Sequence, residues 1–180
     1  MPDFVGGLPL HPLVVHFVVV LLVIAVGGAV LIAVWPAVRR RYGWLVVVAA
    51  GVGTALVPIT TNSGEFLESR IGTNPGIQEH ARLGDLLVWW ALGLFVAVTA
   101  LMVLHQRGEK AQPEPAEDGS GGGTMVATRQ ASGTKVAVLV AAVVTVGLAV
   151  ATGVHTFRVG DAGARLVWEF VEDTPPANGG

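Results

Sequence analysis

The amino-acid sequence predicts an all-α membrane protein, a bundle of four transmembrane helices with both termini outside the cytoplasm. Of its 180 residues, 52% are hydrophobic and only 13% are charged, and the mean hydropathy is +0.64. An average soluble domain has about one quarter charged residues, so this composition is typical of a membrane protein. Four segments also reach the length of about 20 apolar residues that a helix needs to cross a bilayer.

Three of the predicted spans cover about residues 12–35, 83–104 and 136–157, and the second starts at Trp44, is apolar to Val57 and then meets the polar stretch after Pro58. Pro58 follows the apolar part of the second span, and we expect a kink there because its ring removes one backbone hydrogen bond. We assign residues 1–105 to the first three helices, 106–135 to a disordered cytoplasmic linker, 136–172 to the fourth helix with a short interfacial segment, and 173–180 to a disordered tail. The linker and the tail have too few apolar residues to fold. We find no internal repeat in the sequence.

Basic residues are distributed unequally between the two sides of the membrane. Seven of the eleven follow the first span or lie between the third and fourth spans: Arg39, Arg40, Arg41, Arg107, Lys110, Arg129 and Lys135. The other side has only Arg70, Arg82, Arg158 and Arg165. Because cytoplasmic loops carry the excess of Lys and Arg, the sequence predicts a multi-pass protein of the inner (plasma) membrane with extracytoplasmic termini.

Several functional classes are excluded by composition. The net charge of -2 argues against a nucleic-acid partner, and the lipid bilayer is the expected surrounding. The absence of cysteine excludes disulfides, thiolate zinc sites, iron–sulfur ligation and covalent c-type haem attachment within the chain. The sequence also has no phosphate-binding loop, nucleophile elbow or paired-carboxylate signature, so no catalytic residue is assigned.

Every predicted span delivers polar or ionisable residues to the outer face. These residues are His11, His16, Glu65, His80, Asp85, His155 and Asp161. Imidazoles are expensive to place beside lipid, so such a gathering is a functional-site hypothesis. His11 and His16 are five residues apart and point in different directions on a regular helix. We therefore expect His16 to be a buried ligand and His11 to cap the first helix.

The order of four short motifs resembles a known family. The motifs are His11-Pro12-x-x-x-His16-Phe17, Gly64-Glu65-x-Leu67-Glu68, Glu79-His80-Ala81-x-Leu83-Gly84 and Val159-Gly160-Asp161-x-Gly163-Ala164. They look like the four-helix bacterial membrane proteins catalogued as domain of unknown function 2231 (DUF2231). The resemblance implies no established activity, but some relatives are joined to Rieske-type or c-type haem domains, which implies redox chemistry near the outer face. Many relatives have histidine where this chain has Asp161.

Three interpretations of the polar layer remain open. The first is haem b held between two imidazoles on facing helices, with His16, His80 and His155 as the candidate ligands. The second is a divalent transition-metal site, whose candidate ligands are His11, His16, Glu65, His80 and Asp161. In both, the protein would serve a redox or membrane-protein partner.

The third interpretation is a non-catalytic membrane subunit. In it the same residues, with Thr60, Thr61 and Asn62, form a hydrogen-bonded network that clamps the helices or docks a partner. Transport or quinone binding is a further alternative, although the absence of charge deep in the spans argues against an ion pathway.

Overall fold

Four long α-helices follow a short β-hairpin, with two residues in each strand, in the computed structural model, which describes residues 4–5, 7–110 and 124–172. The strands β1 (Phe4–Val5) and β2 (Leu8–Pro9) pair antiparallel. The helices are α1 (Leu10–Val34), α2 (Pro36–Ile71), α3 (Pro75–Lys110) and α4 (Thr124–Glu172). Each is long and apolar enough to cross a membrane, which confirms the predicted four-span, all-helical fold class.

Local sequence explains where the helices begin and end. Trp35 is extended, as a residue before proline prefers to be, and Pro36 occupies the first turn of α2, where no amide hydrogen is needed. At the other end of α2, Gly72 has a φ of 85° and donates its N–H to the carbonyl of Glu68 at 2.9 Å. Asn74 then starts α3, because its side-chain oxygen accepts the N–H of Ile77 at 2.9 Å.

The helices form an up-and-down bundle of two hairpins. Helix α1 packs on α2 and α3 packs on α4, and the hairpins meet through the α2–α3 and α1–α4 interfaces. We call the end where α1 and α3 begin the histidine end, and the opposite end, which carries Arg39, Arg40 and Arg41, the arginine end. One apolar cluster fills the bundle towards the arginine end, and a second, around Leu22 and Leu87, lies towards the histidine end.

The two hairpins repeat one burial pattern, a relation that is not visible in the sequence. The buried positions of α1 are Val18, Leu22, Ala25, Ala29, Ile32 and Ala33. Each has a buried counterpart in α3 at the same distance along the sequence, in order Leu87, Ala91, Leu94, Val98, Leu101 and Met102. Buried positions of α2 include Gly43, Val46, Ala50, Gly53 and Val57, which match Ala142, Thr145, Ala149, Thr152 and Thr156 of α4. The bundle is therefore two copies of one helical hairpin, packed around an approximate twofold axis along its length.

Several element boundaries differ from those expected. Helix α3 continues to Lys110 and α4 begins at Thr124, so helix covers both ends of the segment expected to be a linker. Its remainder, residues 111–123, and the expected tail, 173–180, lie outside the described residues. The expected interfacial segment after the fourth span is a continuation of α4. Helix α2 continues past Pro58, because helix–helix packing and side-chain hydrogen bonds support its polar last turns. The orientation in the membrane stays a prediction.

Candidate histidine site

His11 connects the start of α1 to the end of α2. Its Nδ1 lies 2.9 Å from the carbonyl oxygen of Thr60 and 3.3 Å from Oγ of Ser63. A carbonyl oxygen only accepts, so Nδ1 carries the proton and donates it, which leaves Nε2 with a free lone pair. The ring packs closely against Gly64, where an added Cβ would be 3.0 Å from the Cε1 atom of His11. The glycine therefore makes the close approach of the ring possible.

His80 makes the same arrangement between α3 and α4. Its Nδ1 lies 3.1 Å from the carbonyl oxygen of Val159. A Cβ added to Gly163 would be 3.0 Å from the Cε1 atom of His80. In both hairpins the accepting carbonyl comes four residues before the glycine, so one helical turn supplies both the hydrogen-bond partner and the space for the ring. The second hairpin thus repeats the first in its polar end as well as in its core.

The two repeated histidines meet each other at the histidine end. The ring centroids of His11 and His80 are 6.3 Å apart, with planes at 88°, an edge-to-face contact. Each ring donates through Nδ1 to a neighbouring helix, and within the described residues neither Nε2 makes a hydrogen bond. The structure therefore brings together two imidazoles of the same tautomer, each with a basic nitrogen available to a proton or a metal ion.

His155 has a different environment. It is buried, and its Nε2 lies 2.8 Å from the carbonyl oxygen of Leu83 on α3. One turn earlier, the hydroxyl of Thr152 donates to the carbonyl oxygen of Trp90 at 3.1 Å. Both bonds join α4 to α3, and the Nε2 of His155 is already used in one of them. His155 is thus a helix–helix contact rather than a third member of the pair.

His16 lies on the outside of the bundle. Its side chain is exposed, and its Nδ1 bonds to the carbonyl oxygen of Pro12 in the same helix. The expectation that His11 and His16 point in different directions agrees with this placement, but the burial is the reverse of that expected, since His11 is partly buried against α2 and His16 is exposed. The structure therefore does not bring His16 together with His80 and His155 as a set of haem ligands.

The carboxylates of the expected metal site stay at the periphery. Glu65 and Asp161 are exposed, and Oδ2 of Asp161 pairs with Nε of Arg165 at 2.9 Å. Within the described residues no group of three or more His, Asp and Glu side chains is placed to hold a metal ion. The five-residue set of His11, His16, Glu65, His80 and Asp161 is therefore not assembled here, and only the pair His11–His80 is.

A cavity of about 500 Å³ lies between α1 and α4 beside this end of the bundle. Its apolar walls include Val26, Gly153 and Gly160, and none of the described residues that line it is a histidine. Val26 contacts Gly153 across the α1–α4 interface, whereas its counterpart in the repeat, Phe95, contacts Gly51 across the α2–α3 interface. A valine therefore lines the cavity at the position that a phenylalanine occupies in the other hairpin.

Sequence reasoning did not find the partners of the two histidines. Gly64 and Gly163 occur in the recognised motifs, but nothing in the sequence indicates which ring each one faces. One feature of the sequence could have indicated these contacts, namely the equal four-residue spacing from Thr60 to Gly64 and from Val159 to Gly163. It becomes meaningful only when the hairpins are superposed in register.

Comparison with known proteins agrees with the membrane fold. A family model described as "Predicted membrane protein (DUF2231)" matches residues 7–174, which include all four spans and both members of the histidine pair. No curated protein and no solved structure matches the chain.

Proposed function

This chain belongs to the DUF2231 family of predicted membrane proteins, and we propose that it binds a transition-metal ion through His11 and His80 at the extracytoplasmic end of its bundle. The observation that carries the proposal is the shared tautomer of the two rings, each set by a backbone carbonyl that accepts from Nδ1. Metal-binding histidines are commonly oriented by such a hydrogen bond from the other ring nitrogen. Two imidazoles with further positions open suit copper, zinc, iron or nickel.

The same geometry favours a metal ion over haem b. A macrocycle needs a flat slot between its two axial ligands, whereas the rings of His11 and His80 touch edge to face and each is backed by a glycine of the next helix. The cavity beside α1 and α4 is large and apolar, but the described residues around it provide no imidazole. A bound ion with exchangeable positions would suit a redox partner at this face of the membrane.

An architectural role is the second candidate, and the hydrogen bonds of His155 favour it. His11, His80 and His155 each bond to the backbone of a neighbouring helix. Such polar contacts within a membrane are worth about 0.6 kcal/mol each on average, enough for several together to set helix register. In this reading the histidine pair holds the two hairpins in place and takes no ligand.

Asparagine variants separate the two candidates. The side-chain amide of His11→Asn or His80→Asn can still donate to the neighbouring carbonyl but offers no imidazole lone pair. We expect the purified wild type to bind about one Cu²⁺ or Zn²⁺ per chain, measured by elemental analysis after desalting, and both asparagine variants to lose it while staying folded. His16→Asn, at the exposed histidine of the same helix, is the matched control and should bind as the wild type does.

The outcomes divide clearly. Binding that persists in His11→Asn and His80→Asn, or that is lost equally in His16→Asn, contradicts the metal proposal. A wild type that binds no metal, with alanine variants less stable than asparagine variants, supports the architectural role. A Soret absorption band in the purified protein that disappears in His80→Asn would favour haem instead.

A further inference from the structure

A second set of polar atoms lies at the arginine end, away from the histidine pair. Arg39, in the first turns of α2, is only 6% exposed, and its Nε and Nη1 atoms are buried without a hydrogen-bond partner among the residues that the structure describes. On the facing helix α3, Nε2 of His105 is also buried and has no hydrogen-bond partner among the described residues, although the carboxylate of Glu109 lies nearby. Gly43, one turn after Arg39, packs against the side chain of Met102, which lies three residues before His105, so the two side chains come from the same level of the α2–α3 interface. Two facing helices therefore supply three buried nitrogen atoms that make no hydrogen bond within the described part of the chain.

Leaving these atoms unpaired is costly. A buried charge without a partner is strongly destabilising, and buried polar groups in native proteins almost always have hydrogen-bond partners. The charge of neighbouring Arg40 adds to the positive potential around Arg39. The carboxylate that acts on Arg39 is Glu109, but it is half exposed and its Oε1 lies instead 3.5 Å from Nε2 of His105. The local charge around Arg39 is therefore positive and favours the binding of an anion.

We propose that Arg39 and His105 form a binding site for a phosphate group between α2 and α3. The planar guanidinium matches the oxygen atoms of a phosphate and can donate two parallel hydrogen bonds, and the neutral ring of His105 donates another when its hydrogen is on Nε2. The phosphate is carried by an anionic phospholipid headgroup or is free in solution. The site does not depend on the histidine pair, which lies at the other end of the bundle.

The surroundings of Arg39 suit a phosphate at the level of lipid headgroups. Trp35, Tyr42 and Trp44 are exposed on the same end of the bundle, where interfacial aromatics of membrane proteins lie. Arg40 and Arg41 are exposed beside the site and raise the local concentration of anions. Basic pockets between transmembrane helices are known sites for phosphate-bearing headgroups.

The test compares two sources of phosphate on the full chain. We would measure the unfolding temperature in nanodiscs of phosphatidylcholine alone, of phosphatidylcholine with phosphatidylglycerol, and of phosphatidylcholine with millimolar inorganic phosphate. Retention of phosphatidylglycerol is measured in parallel by native mass spectrometry. Arg39→Gln removes the site, and Arg40→Gln removes the same charge from an exposed neighbour. Arg39→Lys keeps the positive charge but lacks the paired N–H donors of the guanidinium group, and it controls for misfolding caused by loss of the charge.

We expect phosphatidylglycerol to stabilise the wild type and Arg40→Gln, and its retention to fall about tenfold in Arg39→Gln, which corresponds to the loss of one charge-assisted hydrogen bond. The retention of phosphatidylglycerol by Arg39→Lys should lie between that of the wild type and that of Arg39→Gln. The same Arg39-dependent stabilisation by inorganic phosphate alone would assign the site to free phosphate. Equal losses in Arg39→Gln and Arg40→Gln, or no stabilisation of the wild type by either source, would overturn the proposal. So would loss of the effect of Arg39→Gln in a Glu109→Gln background, which would make Glu109 the partner.

Discussion

Replacing Gly163 by alanine tests the packing that orients the histidine pair. On helix propensity alone the change should stabilise α4 by about 0.8–1.0 kcal/mol. The structure predicts the opposite, because the new Cβ would lie 3.0 Å from Cε1 and 3.3 Å from Nδ1 of His80. Ordinary contacts between carbon atoms are about 3.5–4.0 Å long, so the ring must move.

The ring of His80 cannot move without loss, because its Nδ1 is held by the carbonyl oxygen of Val159 at 3.1 Å. A shift of a few tenths of an ångström weakens a hydrogen bond worth about 1 kcal/mol, and overpacking adds a further cost of about 1–3 kcal/mol. After the gain in helix propensity, we expect Gly163→Ala to be about 1–2 kcal/mol less stable than the wild type. It should also bind metal more weakly, since the ring loses its orientation.

Gly160→Ala is the matched control for this experiment. Gly160 lies three residues away in the same helix, and an added Cβ would meet no atom within 4 Å. This variant should be more stable than the wild type by up to about 1 kcal/mol. Both free energies of unfolding can be measured by titration with sodium dodecyl sulfate in mixed micelles. Equal stabilisation by the two alanines would refute the reasoning. By the repeat, Gly64→Ala should behave like Gly163→Ala, because its Cβ would meet His11 at the same distance.

Three further predictions follow from the bundle. Val26→Phe should fill the cavity between α1 and α4, because the corresponding Phe95 occupies the α2–α3 interface. The free energy of unfolding should change by less than about 1 kcal/mol. A larger loss of stability would contradict the structural repeat. His155→Ala should cost about 2–3 kcal/mol because it removes a buried hydrogen bond between α4 and α3 and leaves a cavity, whereas the exposed His16→Ala should stay within about 0.5 kcal/mol in the same titration. Since the chain has no cysteine, Thr73→Cys should react with a membrane-impermeant maleimide in intact cells and Lys110→Cys only after permeabilisation, and the reverse result would invert the predicted orientation.

Residues close to one another in the chain account for most of what sequence reasoning predicted correctly. The four spans follow from length and hydropathy, which are properties of single segments and need no knowledge of neighbours. Pro36, Gly72 and Asn74 mark the ends of helices through their own backbone preferences. The gathering of histidines at one end follows from counting spans.

The rotation of each helix about its own axis could not be predicted in the same way. In a soluble bundle, polar residues mark the outer face of a helix, but here lipid and core are both apolar and α1 is apolar on every side. The sequence therefore could not decide whether His11 or His16 faces inward. Small residues decide it in the structure, because Gly64 leaves space for the ring of His11 and nothing comparable receives His16.

The sequence by itself thus determined the membrane class, the four spans and the end of the bundle at which the polar residues lie. Only the tertiary structure decided that the bundle is a repeated hairpin, that His11 and His80 form the pair, and that buried Arg39 has Nε and Nη1 atoms without a hydrogen bond in the described ranges. The physical reason is that hydrophobicity selects segments for the membrane one at a time. Contacts between helices depend on the shapes of facing side chains, which come from distant parts of the chain.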